Sequence, residues 1–407
     1  MSLVSFKTSL RLNNKQKTLA AKHAGTARHA YNWGLQICLA ALENQEKIPT
    51  AIDLHKKLVR EVKSVNQWYC EVSKCAPQEA LRHLNTAFKN WLKHKHCSKP
   101  KFKKKGIKDS FYLEGSIKIS GDQIKIPVFG WVKCDEILPT VKPKNVTISR
   151  RADRWFISFR YEINHKQTPK KKEKIGVDLG INALATCSDQ TVFKNQKAYR
   201  KNQKKLAKLQ RQLSRKTKGS KNREKAKIKV AKLHKRISDI RKDATHKLTS
   251  FLAKNHSKII IEDLNVSGML KNHRLASAIA DCGFYEFKRQ LMYKTEWYGS
   301  QLTIVDRFFP SSQLCSNCNY RQKMPLKERV FKCNNCGFEI DRDFNASINL
   351  ENWHPDKEYS RNTPSSGGIK ACGESNKPGR SSARDSMKQE GSFEAIQLSL
   401  LDLNRFD

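Results

Sequence analysis

"KIGVDLGINALATCSD" occupies residues 174–189. It reads as an apolar strand ending at Asp178, a tight turn at Gly180 and a second strand. Its chemical counterpart comes much later, in "SKIIIEDL" at 257–264, where three isoleucines run into Glu262 and Asp263. A strand that is apolar at every position is buried on both faces. A carboxylate at its end is therefore held at the lip of a central sheet, where binding and catalytic groups concentrate. A third acid opens "DFNASINL" at 343–350, a short polar start leading into helix formers. The expectation is an α/β domain with Asp178, Glu262 and Asp343 each at the end of an element.

Three carboxylates brought together repel one another. Hard divalent cations with oxygen ligands relieve that repulsion, magnesium being the usual choice. Two such ions about 4 Å apart support phosphodiester hydrolysis. Each acid also has a plainer reading. Asp178 caps a turn, Glu262 is a surface acid after a strand, or Asp343 is a helix N-cap. Asp341 competes with Asp343 for the third role, and it is the weaker candidate because it directly follows the second strand of a cysteine ribbon.

That ribbon is "CSNCNYRQKMPLKERVFKCNNCG", 315–337. Two Cys-x-x-Cys knuckles suit one tetrahedral zinc held by Cys315, Cys318, Cys333 and Cys336. "RVFKC" (329–333) reads as one strand of the ribbon. Four thiolates leave no open position, so this zinc holds a fold and does no chemistry. The other eight of the twelve cysteines are scattered and read as unpaired thiols.

Lys and Arg outnumber Asp and Glu by 80 to 38, a formal charge of +42. Such a chain calls for a polyanionic partner rather than a membrane. No apolar run is long enough to span a bilayer and "MSLVSFKTSL" lacks a secretory core, so the expected location is the cytoplasm. Between Arg200 and Lys242 stand 19 Lys and Arg against two acids, Glu224 and Asp239. Leu206, Leu209 and Leu213 form one stripe there; Val230, Leu233, Ile237 and Ile240 form another, broken by "TKGSK" at 217–221. This predicts a basic helical hairpin inserted between the first two acids. It either tracks phosphates or is a solvated basic coiled coil.

Residues 3–12 read as a strand, 14–46 and 51–95 as helical tracts, and 111–163 as paired strands turning at Gly121-Asp122 and Ala152-Asp153. The basic stretch "CSKPKFKKKG" (97–106) is a candidate RNA grip through Phe102, Lys103 and Lys104, or a plain linker. Lys74 and Gln78, about one helical turn apart, are candidate readers of a flanking DNA sequence, or ordinary surface-helix residues. Residues 356–407, rich in Gly and Ser, read as a disordered tail.

The motifs "GVDLGINALAT", "IIIEDLN", "SSQLCSNC…FKCNNCG" and "DRDFNASINL", in this order, resemble the TnpB (OrfB) family of bacterial insertion sequences. "RHAYNWGL" (28–35), "FGWVK" (129–133) and "ACGESNKPG" (371–379) extend the resemblance over essentially the whole chain. The resemblance implies an RNA-guided nuclease with an RNase H (RuvC-like) domain, related to type V CRISPR effectors. It implies that Asp178, Glu262 and Asp343 are the catalytic acids on two Mg2+. Asp343 matches rather than Asp341 because it stands two residues before Asn345-Ala346. It implies one structural Zn2+ on the four cysteines, with the ribbon inserted before the helix of the third acid. Implied boundaries are a β-barrel-like wedge region (1–12 and 107–170), a helical recognition region (13–106), the nuclease domain (171–310 and 341–355, with the hairpin at 200–242) and the ribbon (311–340). Implied partners are a guide RNA from the element and target double-stranded DNA, whose sequence is read by base pairing. Two rivals stand beside this reading: a strand-transfer transposase of the same fold, and a non-catalytic nucleic-acid-binding regulator. Oligomeric state is not legible.

Overall fold

The computed structural model describes residues 2–106, 108–164, 167–325 and 327–355. The expected tail at 356–407 lies outside the described residues. These fall into two compact units, one of residues 2–21 and 108–355, the other of residues 22–106.

In chain order, β1 is Ser2–Arg11, followed by helices α1 (Asn14–Glu43), α2 (Ala51–Lys57) and α3 (Cys75–Lys93). The helical tract expected over 51–95 is thus interrupted. A π-helical turn at Leu58–Lys63 and a 3-10 turn at Gln67–Glu71 separate α2 from α3. Within the 22–106 unit, Gly34 of α1 lets the side chains of Leu81 and Leu84 approach closely; a Cβ there would meet Leu81 at 2.7 Å.

The other unit holds two sheets. Strands β2 (Ser110–Glu114), β3 (Lys118–Ser120), β4 (Gln123–Ile126), β5 (Gly130–Cys134), β6 (Asn145–Arg151) and β7 (Arg154–Ile163) join β1 in the order β2-β6-β7-β1-β5-β4-β3. Every pairing is antiparallel, and β1 matches β7 along nearly its full length, Ser2 opposite Ile163 to Leu10 opposite Trp155. Among the described residues the sheet does not close into the expected barrel. β2 and β3 end the order without pairing to each other, so among the described residues this is an open seven-stranded sheet.

The second sheet comprises β8 (Lys172–Asp178), β9 (Ala183–Cys187), β10 (Val192–Lys194), β11 (His256–Glu262) and β12 (Gln301–Val305), ordered β10-β9-β8-β11-β12. The first three form an antiparallel meander, and β11 and β12 then run parallel to β8. Between β10 and β11 lie α4 (Ala198–Ser214) and α5 (Lys221–Asn255); α6 (Val266–Met269), α7 (Ala276–Cys282) and α8 (Phe284–Tyr298) precede β12. Alternation along the strands divides their side chains between two cores. Ile175, Val177, Ile259 and Ile261 pack with Leu248 and Leu252 of α5 and Phe287 and Leu291 of α8. On the opposite face Ile260 and Val305 pack with Leu350. Burial on both faces is why these strands read as unbroken apolar runs.

The hairpin forms as its stripes demand: Leu206 packs with Val230, Leu233 and Ile237, bordered by Leu209, Leu213 and Ile240. Its second arm is longer than the expected limit of Lys242 and runs to Asn255. Beyond Lys242 its apolar residues, including Leu248 and Leu252, leave the hairpin partner and join the sheet core. Ser220 caps α5 by accepting the Arg223 N–H at 3.1 Å. Asp281, buried on α7, accepts the Tyr199 N–H in the first turn of α4 at 2.9 Å.

Candidate functional site

Asp178 is the last residue of β8 and Glu262 the last of β11. The two strands are parallel neighbours with Val177 opposite Ile261, so the two acids come next in register. Parity sends Asp178 to the same face as Gly176, and Glu262 to the same face as Ile260. That face carries α9 (Arg342–Glu351), the last helix among the described residues, which packs on β8. Gly176 makes the packing possible: a Cβ there would stand 2.0 Å from the Ser347 carbonyl oxygen and 2.5 Å from the Glu351 nitrogen. The helix therefore lies backbone to backbone on the strand, with Asp343 in its first turn.

The electrostatics bear the marks of this convergence. Burial first, then the charges of Asp343 and Glu262, push the Asp178 carboxyl up to about 7. Burial first, then Asp263, push Glu262 up to about 7 as well. Asp263 itself is committed elsewhere. It accepts from Lys288 Nζ at 2.8 Å and from Arg307 Nη2 at 2.5 Å, which hold it below the usual carboxylate range. This pair of cations ties α8 and the loop after β12 to the residue beside Glu262. Asp341 is the N-cap of α9, its Oδ1 accepting the Phe344 N–H at 2.9 Å. The capping role weighed for Asp343 therefore belongs to Asp341. Arg329 Nη1 lies 3.8 Å from Asp343 Oδ1.

The ribbon sits between β12 and α9, with strands β13 (Val330–Lys332) and β14 (Glu339–Asp341). Among the described residues, Cys315, Cys318, Cys333 and Cys336 are the one set of three or more His, Cys, Asp or Glu whose ligand atoms all lie within 4.8 Å of one another. The Sγ atoms of Cys315 and Cys336 are 3.7 Å apart, those of Cys318 and Cys333 3.6 Å. A tetrahedral zinc with Zn–S bonds of about 2.3 Å requires S···S separations of about 3.8 Å, so the sulfurs fit that ion. Each knuckle also supports the other: Asn317 donates to Cys336 Sγ and Asn335 to Cys318 Sγ, both at 3.7 Å. The Phe338 N–H pulls the exposed Cys336 thiol down to about 6. Two buried asparagines of α9 dock the ribbon. Asn345 donates to the Leu314 carbonyl at 2.6 Å and accepts the Ser316 N–H at 2.9 Å. Asn349 donates to the Ser311 and Leu314 carbonyls, both at 2.8 Å.

The proposed nucleic-acid readers lie apart from these centres in the sequence and belong to the other unit. Lys74 is exposed and Gln78 half-buried in the first turn of α3. Phe102 is 52% exposed. Lys103 and Lys104 are exposed too, but Lys103 is not part of a free linker. Its backbone N–H and carbonyl both pair with Asn32, and its ammonium stands 3.9 Å from the Tyr31 ring centroid. Sequence reasoning missed Lys288, Arg307, Arg329 and the docking role of Asn345 and Asn349. Each acts through a partner distant in the chain, for which local pattern carries no signal.

A family model described as "Probable transposase" matches residues 158–273, one described as "Cas12f1-like, TNB domain" matches 284–350, and one described as "Helix-turn-helix domain" matches 1–47. In the structure that last segment is one strand and a single continuous helix to Glu43. Over 399 residues the chain is 35% identical to a "Putative RNA-guided DNA endonuclease" of Streptomyces pristinaespiralis, covering 95% of this chain and 96% of that one. It is also 35% identical over 373 residues to InsQ of Escherichia coli (strain K12), which carries the same description, covering 86% and 91%. Among solved structures, the chain of a Cas12f1–sgRNA–target DNA complex has a TM-score of 0.53 at 14% identity, covering 83% of each chain; this likeness is one of fold. No helix among the described residues is long and apolar enough to cross a membrane.

Proposed function

The chain belongs to the TnpB (OrfB) family of RNA-guided DNA endonucleases encoded by insertion sequences, and we propose that it cuts double-stranded DNA next to a short flanking motif, using Asp178, Glu262 and Asp343 as its metal-binding acids. The observation that supports the proposal is that Asp178 and Glu262 end adjacent parallel strands, with Asp343 in the first turn of the helix seated on the same face. Asp178 is pushed up to about 7 by burial and by its two acidic neighbours. Carboxyls so crowded and so poorly hydrated are unfavourable as bare anions, and a hard divalent cation relieves them. Their oxygen-only chemistry fits two Mg2+. When bound, magnesium supplies an activated water and stabilises the leaving oxygen of the phosphodiester. The strand order and directions support an RNase H (RuvC-like) reading of this domain.

The chain's own residues do the rest. The parallel register of β8 and β11 sets Asp178 beside Glu262, and the glycine seat of α9 brings Asp343 to them. Lys288 and Arg307 take up the Asp263 charge, leaving Glu262 free for the centre. The ribbon, closed by one Zn2+ on its four cysteines, fixes the entry to α9. The basic hairpin, α4 and α5, holds the guide RNA–target duplex through phosphates, which carry no sequence information. Specificity then comes from the RNA it holds. Phe102, Lys103 and Lys104 grip the RNA, and Lys74 and Gln78 read the flanking motif.

The deciding experiment supplies RNA-free protein with two synthetic RNAs differing only in the guide segment. The expected result is that the DNA cut follows the guide. Cutting of the same DNA with either RNA, or with none, overturns the guided reading. Joining of the cut ends in the same assay favours a strand-transfer enzyme instead.

A further inference from the structure

The ribbon's position raises a question that its zinc does not answer: a purely structural module has no need to touch the acid centre. Arg329 does touch it. The residue immediately precedes β13, and its Nη1 lies 3.8 Å from Asp343 Oδ1. Its backbone is fixed to the head of α9, because the Arg329 carbonyl accepts the Arg342 N–H at 2.8 Å and the next residue, Val330, pairs with Asp341. Two and four residues after Arg329, Phe331 and Cys333 are buried in the ribbon's own core with Cys315. A rigid thread thus runs from the zinc cysteines to the third acid, ending in a flexible guanidinium. The neighbouring Arg342 donates to the Pro325 carbonyl at 3.3 Å, and its charge acts on Asp178, which it lowers, rather than pairing with Asp343.

Resting on the acid-centre reading above, we infer that the ribbon supplies Arg329 to the centre as a phosphate-binding residue. Its guanidinium holds the Asp343 carboxylate while no metal is bound, and it takes a phosphate oxygen of the DNA strand once a metal claims Asp343. The pair is suited to such an exchange. The two side chains are 54% and 26% exposed, and ion pairs that open to water are weak and give way to a stronger ligand. A planar guanidinium released beside the centre has the geometry to bind phosphate bidentately, which lysine lacks. Because the Arg329 backbone stays anchored, the exchange needs only side-chain rotation.

The test compares Arg329→Ala, Arg329→Lys and Asp343→Ala as full-length proteins with guide RNA. Zinc content comes from elemental analysis, Mg2+ binding from the melting temperature against Mg2+ concentration, and cutting from single-turnover rates. In Arg329→Ala, zinc stays at one per chain and the Mg2+ midpoint falls by about two- to fivefold, since Asp343 has lost its competitor. Cutting slows by about ten- to a hundredfold, as for loss of a transition-state phosphate contact. Arg329→Lys keeps the native Mg2+ midpoint but recovers the rate only in part. The inference is overturned if Arg329→Ala leaves both the midpoint and the rate unchanged. It is overturned equally if the rate falls only together with zinc, or if lysine restores the rate fully. Full cutting by Asp343→Ala is a different failure, because it removes the third acid from the centre whatever Arg329 does.

Discussion

A Cβ on Gly176 would stand 2.0 Å from the carbonyl oxygen of Ser347. Glycine is required there by close approach of a helix to a strand rather than by a turn. The contact sets how near α9, and with it Asp343, comes to Asp178. Gly176→Ala therefore lifts the helix. We expect a loss of about 1–3 kcal/mol in stability, as for overpacking, and a fall in cutting with zinc retained. Thermal denaturation and a cleavage assay check this. Gly180→Ala, whose Cβ meets Ala183 O at 3.1 Å, is the milder comparison.

Asp178→Ala and Glu262→Ala remove acids at the sheet end, and Asp343→Ala removes an acid whose other partner is the exposed Arg329. The expected outcome is loss of several kcal/mol of transition-state stabilisation, about a hundredfold or more in rate, with nucleic-acid binding retained. Asp341→Ala loses a helix cap, about 1 kcal/mol of stability, and keeps cutting. A dead Asp341 variant beside an active Asp343 variant reverses the assignment.

The crowded carboxyls also make a pH prediction. Asp178 titrates near 7 when folded and near 3.9 when unfolded. A raised folded value means that the folded protein binds the extra proton. The stabilisation is full below about pH 4 and is lost as pH rises through about 7. Metal-free protein should lose melting temperature across that window, and Asp178→Asn should lessen the loss, with Glu262, raised likewise, carrying the remainder. Mg2+ should raise the melting temperature at pH 8 and have little effect at pH 5. An effect of Mg2+ that is equal at both pH values would contradict the assignment.

One zinc per chain is expected by elemental analysis, with Cys315, Cys318, Cys333 and Cys336 protected from alkylation. The ribbon has a small core, so metal bonds supply its folding energy. Cys333→Ser should release the zinc and undo the docking of Asn345 and Asn349. Cutting should then be lost while the basic hairpin still binds nucleic acid. Free alkylation of all four thiols in native protein would remove the site.

What the sequence disclosed was whatever local pattern encodes. Ile259 to Glu262 announced a doubly buried strand ending in an acid, because burial on both faces leaves no polar alternation. Leu206, Leu209 and Leu213 announced one arm of the hairpin and Val230, Leu233 and Ile237 the other, since both stripes face a single partner. The same logic misplaced the end of α5, where Leu248 and Leu252 turn to a different partner and the stripe changes face. Gly176 was visible only as a glycine in a strand; that it seats a helix depends on Ser347, far along the chain. Arg329 and Arg307 read as two basic residues among 80, and only the fold gives each its acid.

The placement of the ribbon between β12 and α9 has a consequence for the making of the protein. Domains fold in order as the chain emerges, at about 5–20 residues per second. Asp178 and Glu262 are made before the ribbon, but Asp343 leaves the ribosome only after all four cysteines have done so. A truncated or still-growing chain therefore has the basic hairpin and two of the acids without a complete centre. The centre proposed above is therefore complete only once the ribbon has been made.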